Sequence, residues 1–284
     1  MRLQQWIKNL FIFAALIFSA NLFNLHDLIY TVLGFLFFSL SASGVYIIND
    51  IADFEKDKLH PLKSRRPLPS GRLSKSLALV ASVLLLLIGL IGSFYLNLNF
   101  AVIIILYVII NLIYSFKVKE IVILDVMTIS AGFVLRVVSG AVLINVPTSE
   151  WLIICTVLLS LFLGFSKRRH ELILLENHAI SHRSVLRDYS PIFLDQMISI
   201  VTATTVMSFA LYTISEETVH KFGTTHLIYT VPFVLYGIFR YLYLVHKKEE
   251  GGNPAKLALT DVPLLVNIIL WFICVTLIIY LKQL

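Results

Sequence analysis

The stretch Tyr46-Ile-Ile-Asn-Asp-Ile-Ala-Asp-Phe-Glu-Lys-Asp57 stands at a boundary in the chain. Before it, from Leu28 to Asn49, runs a segment without one charged side chain. After it comes a loop dense in lysine, arginine and proline. A helix of about 20 mostly apolar residues crosses the hydrocarbon core of a bilayer. Lipid obliges backbone groups to pair internally, so such a segment is helical. The stretch therefore reads as the end of a membrane span where acidic side chains emerge into water.

The same pattern repeats along the chain. Nine spans are expected, at roughly 9–24, 27–48, 76–96, 98–115, 122–143, 150–166, 191–214, 226–246 and 263–281. The expected fold class is all-α, a polytopic integral membrane protein of nine transmembrane helices. Composition agrees. Of 284 residues, 58% are hydrophobic and 14% charged, against about 25% charged in soluble domains. The mean hydropathy is +0.87. The first apolar run follows Arg2 and Lys8 and has no small-residue cleavage site after it, so it is expected as a retained helix.

Lysine and arginine set the orientation. Most of the 23 basic residues fall at the N-terminus and in the segments 49–75, 117–119, 166–190 and 247–262. The N-terminus is expected in the cytoplasm and the C-terminus outside, in a multi-pass protein of the plasma (inner) membrane. The net charge of +6 follows from this asymmetry and from attraction to anionic lipid. No soluble basic domain remains to bind nucleic acid. Cys155 and Cys274 lie inside apolar spans and read as small hydrophobes. No linker divides the chain, so residues 1–284 are expected as one transmembrane domain. Two long cytoplasmic loops, 49–75 and 166–190, carry its candidate chemistry.

Asp50, Asp53 and Asp57 are spaced three and four apart; Asn49, Asp53 and Asp57 are spaced four and four. On a continuing helix these oxygens share one face, where like charges repel. A hard divalent cation removes that repulsion. Magnesium takes oxygen ligands and bridges carboxylates to substrate phosphates. The plain alternative is a solvated helix end whose acids pair with nearby lysines. The following loop carries Lys63, Arg65 and Arg66 among prolines. Fixed cations beside an acidic metal site suit a diphosphate, although membrane topology alone explains part of this charge.

Further candidates are scattered. Tyr114 and Lys117 close the fourth span, and Asp125 opens the fifth. Arg136 lies deep in that span, where a charge needs a partner or a polar cavity; an ion pair to another helix and a ligand contact both remain open. The segment Ser166-Lys-Arg-Arg-His-Glu171 places Lys167 and Arg168 as phosphate candidates, with Glu171 a lone acid among cations. Lys8 and Tyr189 complete the set.

These residues resemble the UbiA superfamily of intramembrane prenyltransferases. Asn49–Asp57 is similar to its first aspartate-rich motif, and Tyr114-Ser115 with Lys117 also resembles it. Members with aromatic acceptors carry a second aspartate-rich motif after the sixth span. Here that position reads Lys167-Arg-Arg-His-Glu171. This resembles the branch typified by decaprenyl-phosphate phosphoribosyltransferase, as do Gln5-Trp-Ile-Lys-Asn9, Phe133-Val-Leu-Arg136 and the Gly252–Asp261 segment.

The resemblance implies a UbiA-like bundle that takes phosphoribosyl diphosphate and a polyprenyl phosphate and depends on Mg2+. Asn49, Asp50, Asp53 and Asp57 would hold the metal, with Asp50, Asp53, Asp57 and Glu171 as the catalytic acids. Lys8, Asn49, Lys63, Arg65, Arg66, Tyr114, Lys117, Asp125, Arg136, Lys167, Arg168 and Tyr189 would contact substrate, and an oligomer is compatible. The competing expectation is a prenyl transfer from a prenyl diphosphate to an aromatic or lipid acceptor. A non-enzymatic transporter is the third, and sparse intramembrane charge argues against it.

Overall fold

The computed structural model describes residues 3–59, 63–175, 184–247, 252 and 254–280. A 3-10 segment, Leu3–Ile12, leads into a short helix α1 (Phe13–Phe18). Then follow α2 (Leu25–Ala52), α3 (Phe54–Leu59), α4 (Lys75–Leu96), α5 (Leu98–Phe116), α6 (Leu124–Leu143) and α7 (Glu150–Leu175). The remaining helices are α8 (Pro191–Ile214), α9 (Glu216–Phe222), α10 (Val231–Lys247), α11 (Pro254–Thr260) and α12 (Val262–Tyr280). Among the described residues there is no strand, and eight helices are long and apolar enough to cross a membrane. The protein is an all-α polytopic membrane protein.

The expected count of nine is corrected to eight. Residues 9–24 do not form one α-helix. The helical backbone there starts earlier, at Leu3, and stops at Phe18, where Ala20 adopts a φ of 62°. The expected end of the sixth span is also corrected. Helix α7 continues to Leu175, so Ser166–Glu171 lies on a helix rather than in a loop. Lysine, arginine, glutamate and leucine are all good helix formers, and nothing in that stretch breaks the backbone pattern.

Local chemistry fixes the helix starts. Asn24, Ser74, Asn97 and Ser190 each accept a backbone N–H of the first turn that follows. Such caps satisfy donors that have no partner within the helix. Asn97 does this for α5 while ending α4, which makes a tight hairpin of the two.

The chain divides into two compact units, residues 1–148 with 175–189, and residues 149–174 with 190–284. In the first unit, α2 packs on α4 along small residues. The Ser82 hydroxyl donates to the Gly44 carbonyl at 2.8 Å. A Cβ on Gly89 would collide with the Ser41 hydroxyl and the Phe37 carbonyl. Small residues allow this approach, which drives helix association in lipid.

The N-terminal segment is tied to the same helices. Asn9 donates to Ser39 at 2.8 Å and the Trp6 indole to Ser43 at 3.0 Å. Ile12, Leu16, Phe38, Phe100, Ile104 and Tyr107 form the buried core around it. In the second unit, Arg240 on α10 makes a two-pronged ion pair with Asp261, at 3.0 and 2.8 Å. Asn267 on α12 donates to the Phe233 carbonyl at 2.9 Å.

Candidate active site

The acidic motif sits at the end of α2. The helix is interrupted for one residue at Asp53 and resumes as α3. Backbone bonds still run from Asp53 N–H to Asn49 (2.9 Å) and from Asp57 N–H to Asp53 (2.8 Å), so the four-residue spacing survives the break.

The side chains separate into two pairs. Asp50 and Asp57 share one nitrogen of Arg66, Nη1, at 3.1 and 2.6 Å. Asp57 is buried. Asp53 takes the Lys119 ammonium on one oxygen and the Asn49 amide on the other, the latter at 3.2 Å. The Asn49 carbonyl oxygen accepts the Ser115 hydroxyl at 3.0 Å. Charge repulsion on this face is thus relieved by one arginine and one lysine, each brought from a different loop. Lys56 and Glu120 pair at 3.0 Å beside Lys119. The hydrogen bond from Lys56 holds the Glu120 carboxyl below the usual glutamate range.

Other expected residues fall as follows. Arg65 and Lys117 are exposed, and Lys8 and Tyr114 half-buried. The side chain of Lys63 lies outside the described residues. Lys119, which sequence reasoning counted only as a topology charge, is the lysine that reaches the cluster. The 3-10 turn Val118–Glu120 carries it there. Asp125 and Tyr189 meet each other; the tyrosine hydroxyl donates to Asp125 at 2.8 Å.

Arg136 does not join the acidic cluster. Its Nε donates to Asn9 (2.8 Å), one Nη to the Gly132 carbonyl (2.6 Å) and the other to the Tyr107 hydroxyl (2.9 Å). Phe38, Tyr107 and Phe133 turn ring faces to it. Of the expected alternatives, the ion pair gives way to a cation held by neutral dipoles and rings. No carboxylate pairs with it among the described residues. Tyr107 is eight residues below Ser115, so the arginine lies about 12 Å deeper than the cluster.

In the second unit, Arg168 is almost fully buried and holds Glu171 at 2.7 Å, while Lys167 stands 3.8 Å from the same carboxylate. These are contacts within one helix at three- and four-residue spacing. Arg169 turns elsewhere, to Asp195, which also meets His246 at 3.2 Å.

The donor chemistry of the acidic cluster fits a magnesium ion. Carboxylate and amide oxygens are hard ligands. Among the described residues, no three His, Cys, Asp or Glu side chains form a group that could hold a metal ion. Magnesium does not need one, since it is usually held by one or two carboxylates plus waters and substrate phosphates.

A model of the UbiA prenyltransferase family matches residues 9–268. Decaprenyl-phosphate phosphoribosyltransferase of Corynebacterium glutamicum is 31% identical over 286 residues, covering 99% of this chain and 85% of that protein. The protein of the same name from Mycolicibacterium smegmatis is 30% identical over 281 residues, covering 95% and 88%. A UbiA homologue from Archaeoglobus fulgidus, solved bound to GPP and Mg2+, superposes with a TM-score of 0.75 at 19% identity, covering 98% of this chain and 97% of that one. With a family match reaching nearly end to end and relatives alike over almost the whole length, the chain belongs to the UbiA prenyltransferase family.

Proposed function

We propose that this membrane transferase moves 5-phosphoribose from phosphoribosyl diphosphate to a polyprenyl phosphate and releases diphosphate. The observation that carries the reading is the interleaving of Asp50, Asp53 and Asp57 with Arg66 and Lys119 at the end of α2. Carboxylates and cations so mixed suit a metal diphosphate. The choice of sugar donor draws on the two relatives named decaprenyl-phosphate phosphoribosyltransferase. It draws also on Lys167-Arg-Arg-His-Glu171, whose one acid is already matched by Arg168.

In the proposed reaction an anionic oxygen of the polyprenyl phosphate bonds to C1 of the ribose. The C1–oxygen bond to diphosphate breaks, and diphosphate leaves with the electron pair. The nucleophile is already an anion, so no strong base is required. Rate acceleration then rests on positioning and on stabilising the departing charge. Asn49, Asp50, Asp53 and Asp57 would hold Mg2+, which when bound neutralises charge on the leaving group. Arg66 and Lys119, held beside those carboxylates, present N–H donors to the phosphate oxygens.

The basic residues flanking the cluster, among them Lys58, Arg65, Arg72 and Lys75, favour a cytoplasmic position for it. The plasma (inner) membrane is the corresponding location.

The test uses purified protein in lipid nanodiscs, radiolabelled phosphoribosyl diphosphate, a polyprenyl phosphate and Mg2+. Label moving into the lipid phase supports the reading. No lipid-linked label sinks it. Consumption of a prenyl diphosphate with an aromatic acceptor would replace it with prenyl transfer.

A further inference from the structure

The chain enters α6 through an unusual turn. Ile123 has φ 68° and ψ −49°, and the N–H of Leu124 returns to the Val122 carbonyl at 2.8 Å. This is a γ-turn with positive φ at its centre, a rare and strained form. The strain is greater because the central residue is β-branched. Such a conformation persists only where its surroundings hold it in place.

The hydroxyl of Tyr189 does so. It accepts the Ile123 N–H at 2.7 Å and donates to Asp125 Oδ1 at 2.8 Å. The two side chains of this bridge are buried: Asp125 is 0% exposed and Tyr189 5%. Tyr189 follows the 3-10 turn Ser184–Asp188, whose Val185 and Leu186 are buried. By its contacts this segment is part of the first unit, although in sequence it lies between two helices of the second. Four residues before Ile123 stands Lys119, with its ammonium on Asp53. The turn therefore sets where the Lys119 loop ends.

We propose that Tyr189 is a positioning residue, whose hydroxyl latches the strained turn at Ile123 and so keeps Lys119 in register with Asp53. Sequence reasoning placed Tyr189 among substrate contacts. Its hydroxyl is engaged as donor and acceptor inside the protein. The inference rests on the proposed function only in taking the Asp53–Lys119 cluster as the diphosphate site.

The test reads Lys119 directly, without substrate. Full-length protein in nanodiscs is treated with a limiting dose of acetic anhydride, and acetylation is read by mass spectrometry. Lys58 and Lys75, both exposed, serve as internal references. In the wild type Lys119, with its side chain 13% exposed, is protected. Tyr189→Phe keeps the ring and removes only the latch, and should raise relative labelling of Lys119 by about threefold or more through local opening. Adding Ile123→Gly should return labelling toward the wild-type level, because glycine adopts positive φ without a Cβ penalty. Unchanged labelling in Tyr189→Phe overturns the latch, and failure of Ile123→Gly to reverse a rise overturns the link to the turn. If Tyr189→Phe does not elute as a monodisperse protein, Asp125→Ala carries the same expectation.

In the transferase assay, Tyr189→Phe should raise KM for phosphoribosyl diphosphate more than it lowers kcat. A wild-type protein without transferase activity removes the proposed function, while the labelling result still decides the latch.

Discussion

One guanidinium nitrogen of Arg66 stands 2.6 Å from the buried carboxylate of Asp57, and it reaches Asp50 at 3.1 Å from the same position. Replacing Arg66 by alanine leaves two neighbouring carboxylates without their shared cation and strips a donor from the leaving-group site. Loss of one such preorganised donor costs about 100- to 1,000-fold in kcat. Arg66→Lys keeps the charge but not the planar guanidinium with its further N–H donors, so partial activity is expected. Steady-state transfer rates of the two variants check this, and equal rates for alanine and wild type would remove Arg66 from the site.

Asp53 is the acid that meets both an amide and an ammonium. Asp53→Asn keeps the shape and removes the charge. Activity in this variant should need a higher Mg2+ concentration, shifted by about tenfold, in keeping with one weakened oxygen ligand. Chelation should silence the wild type and added Mg2+ should restore it. A Mg2+ titration that does not move between the two proteins would count against metal binding at Asp53.

Arg136 is predicted to matter for stability rather than for the cluster. Arg136→Ala would leave Asn9 and Tyr107 without their buried donor and open a void among Phe38 and Phe133. The expected loss is roughly 2–4 kcal/mol, read as a lower unfolding temperature in detergent. Lysine cannot reach three separate acceptors in one plane, so Arg136→Lys should not restore the melting point. A wild-type melt in both variants would show that the network is dispensable.

The Glu120 carboxyl, held low by its hydrogen bond from Lys56, has a pH signature. A depressed carboxyl contributes stability above its unfolded-state value and loses it as pH falls through its folded-state value. The contribution is therefore present at neutral pH and fades below the ordinary glutamate range. Glu120→Gln should flatten that acid limb in a series of melts, and by little, since the pair is exposed and screened by salt. An unchanged acid limb would mean that the pair adds nothing.

The spans were legible in the sequence because lipid demands long uncharged runs, and eight of them stand as helices. The first was not, since a 3-10 backbone obeys a different periodicity and Phe18 ends it early. Asn49, Asp50, Asp53 and Asp57 were legible because their spacing survives the break at Asp53. Their partners were harder to read. Arg66 was one of several cations in its loop, and nothing in the sequence singles it out. Lys119 was hard to single out because a three-residue 3-10 turn decides which lysine of its loop points inward. The bond between Tyr189 and Asp125 joins residues 64 apart in sequence, a separation at which no local pattern operates. Asn9 stood within a quoted motif, yet its role as acceptor for Arg136 depends on the approach of two distant segments.

The seam between α2 and α4 has a consequence for how the protein meets different bilayers. At Gly44, Gly89 and Ser82 the two backbones touch, so neither helix is free to slide along the other. The acidic cluster begins within two turns of Gly44, and its height above the seam is set by protein contacts. When a cell adjusts acyl-chain length with temperature, the membrane thins or thickens around these helices. The seam moves as one piece with the carboxylates it carries, so the mismatch is met by tilt of the pair or by the lipid around it.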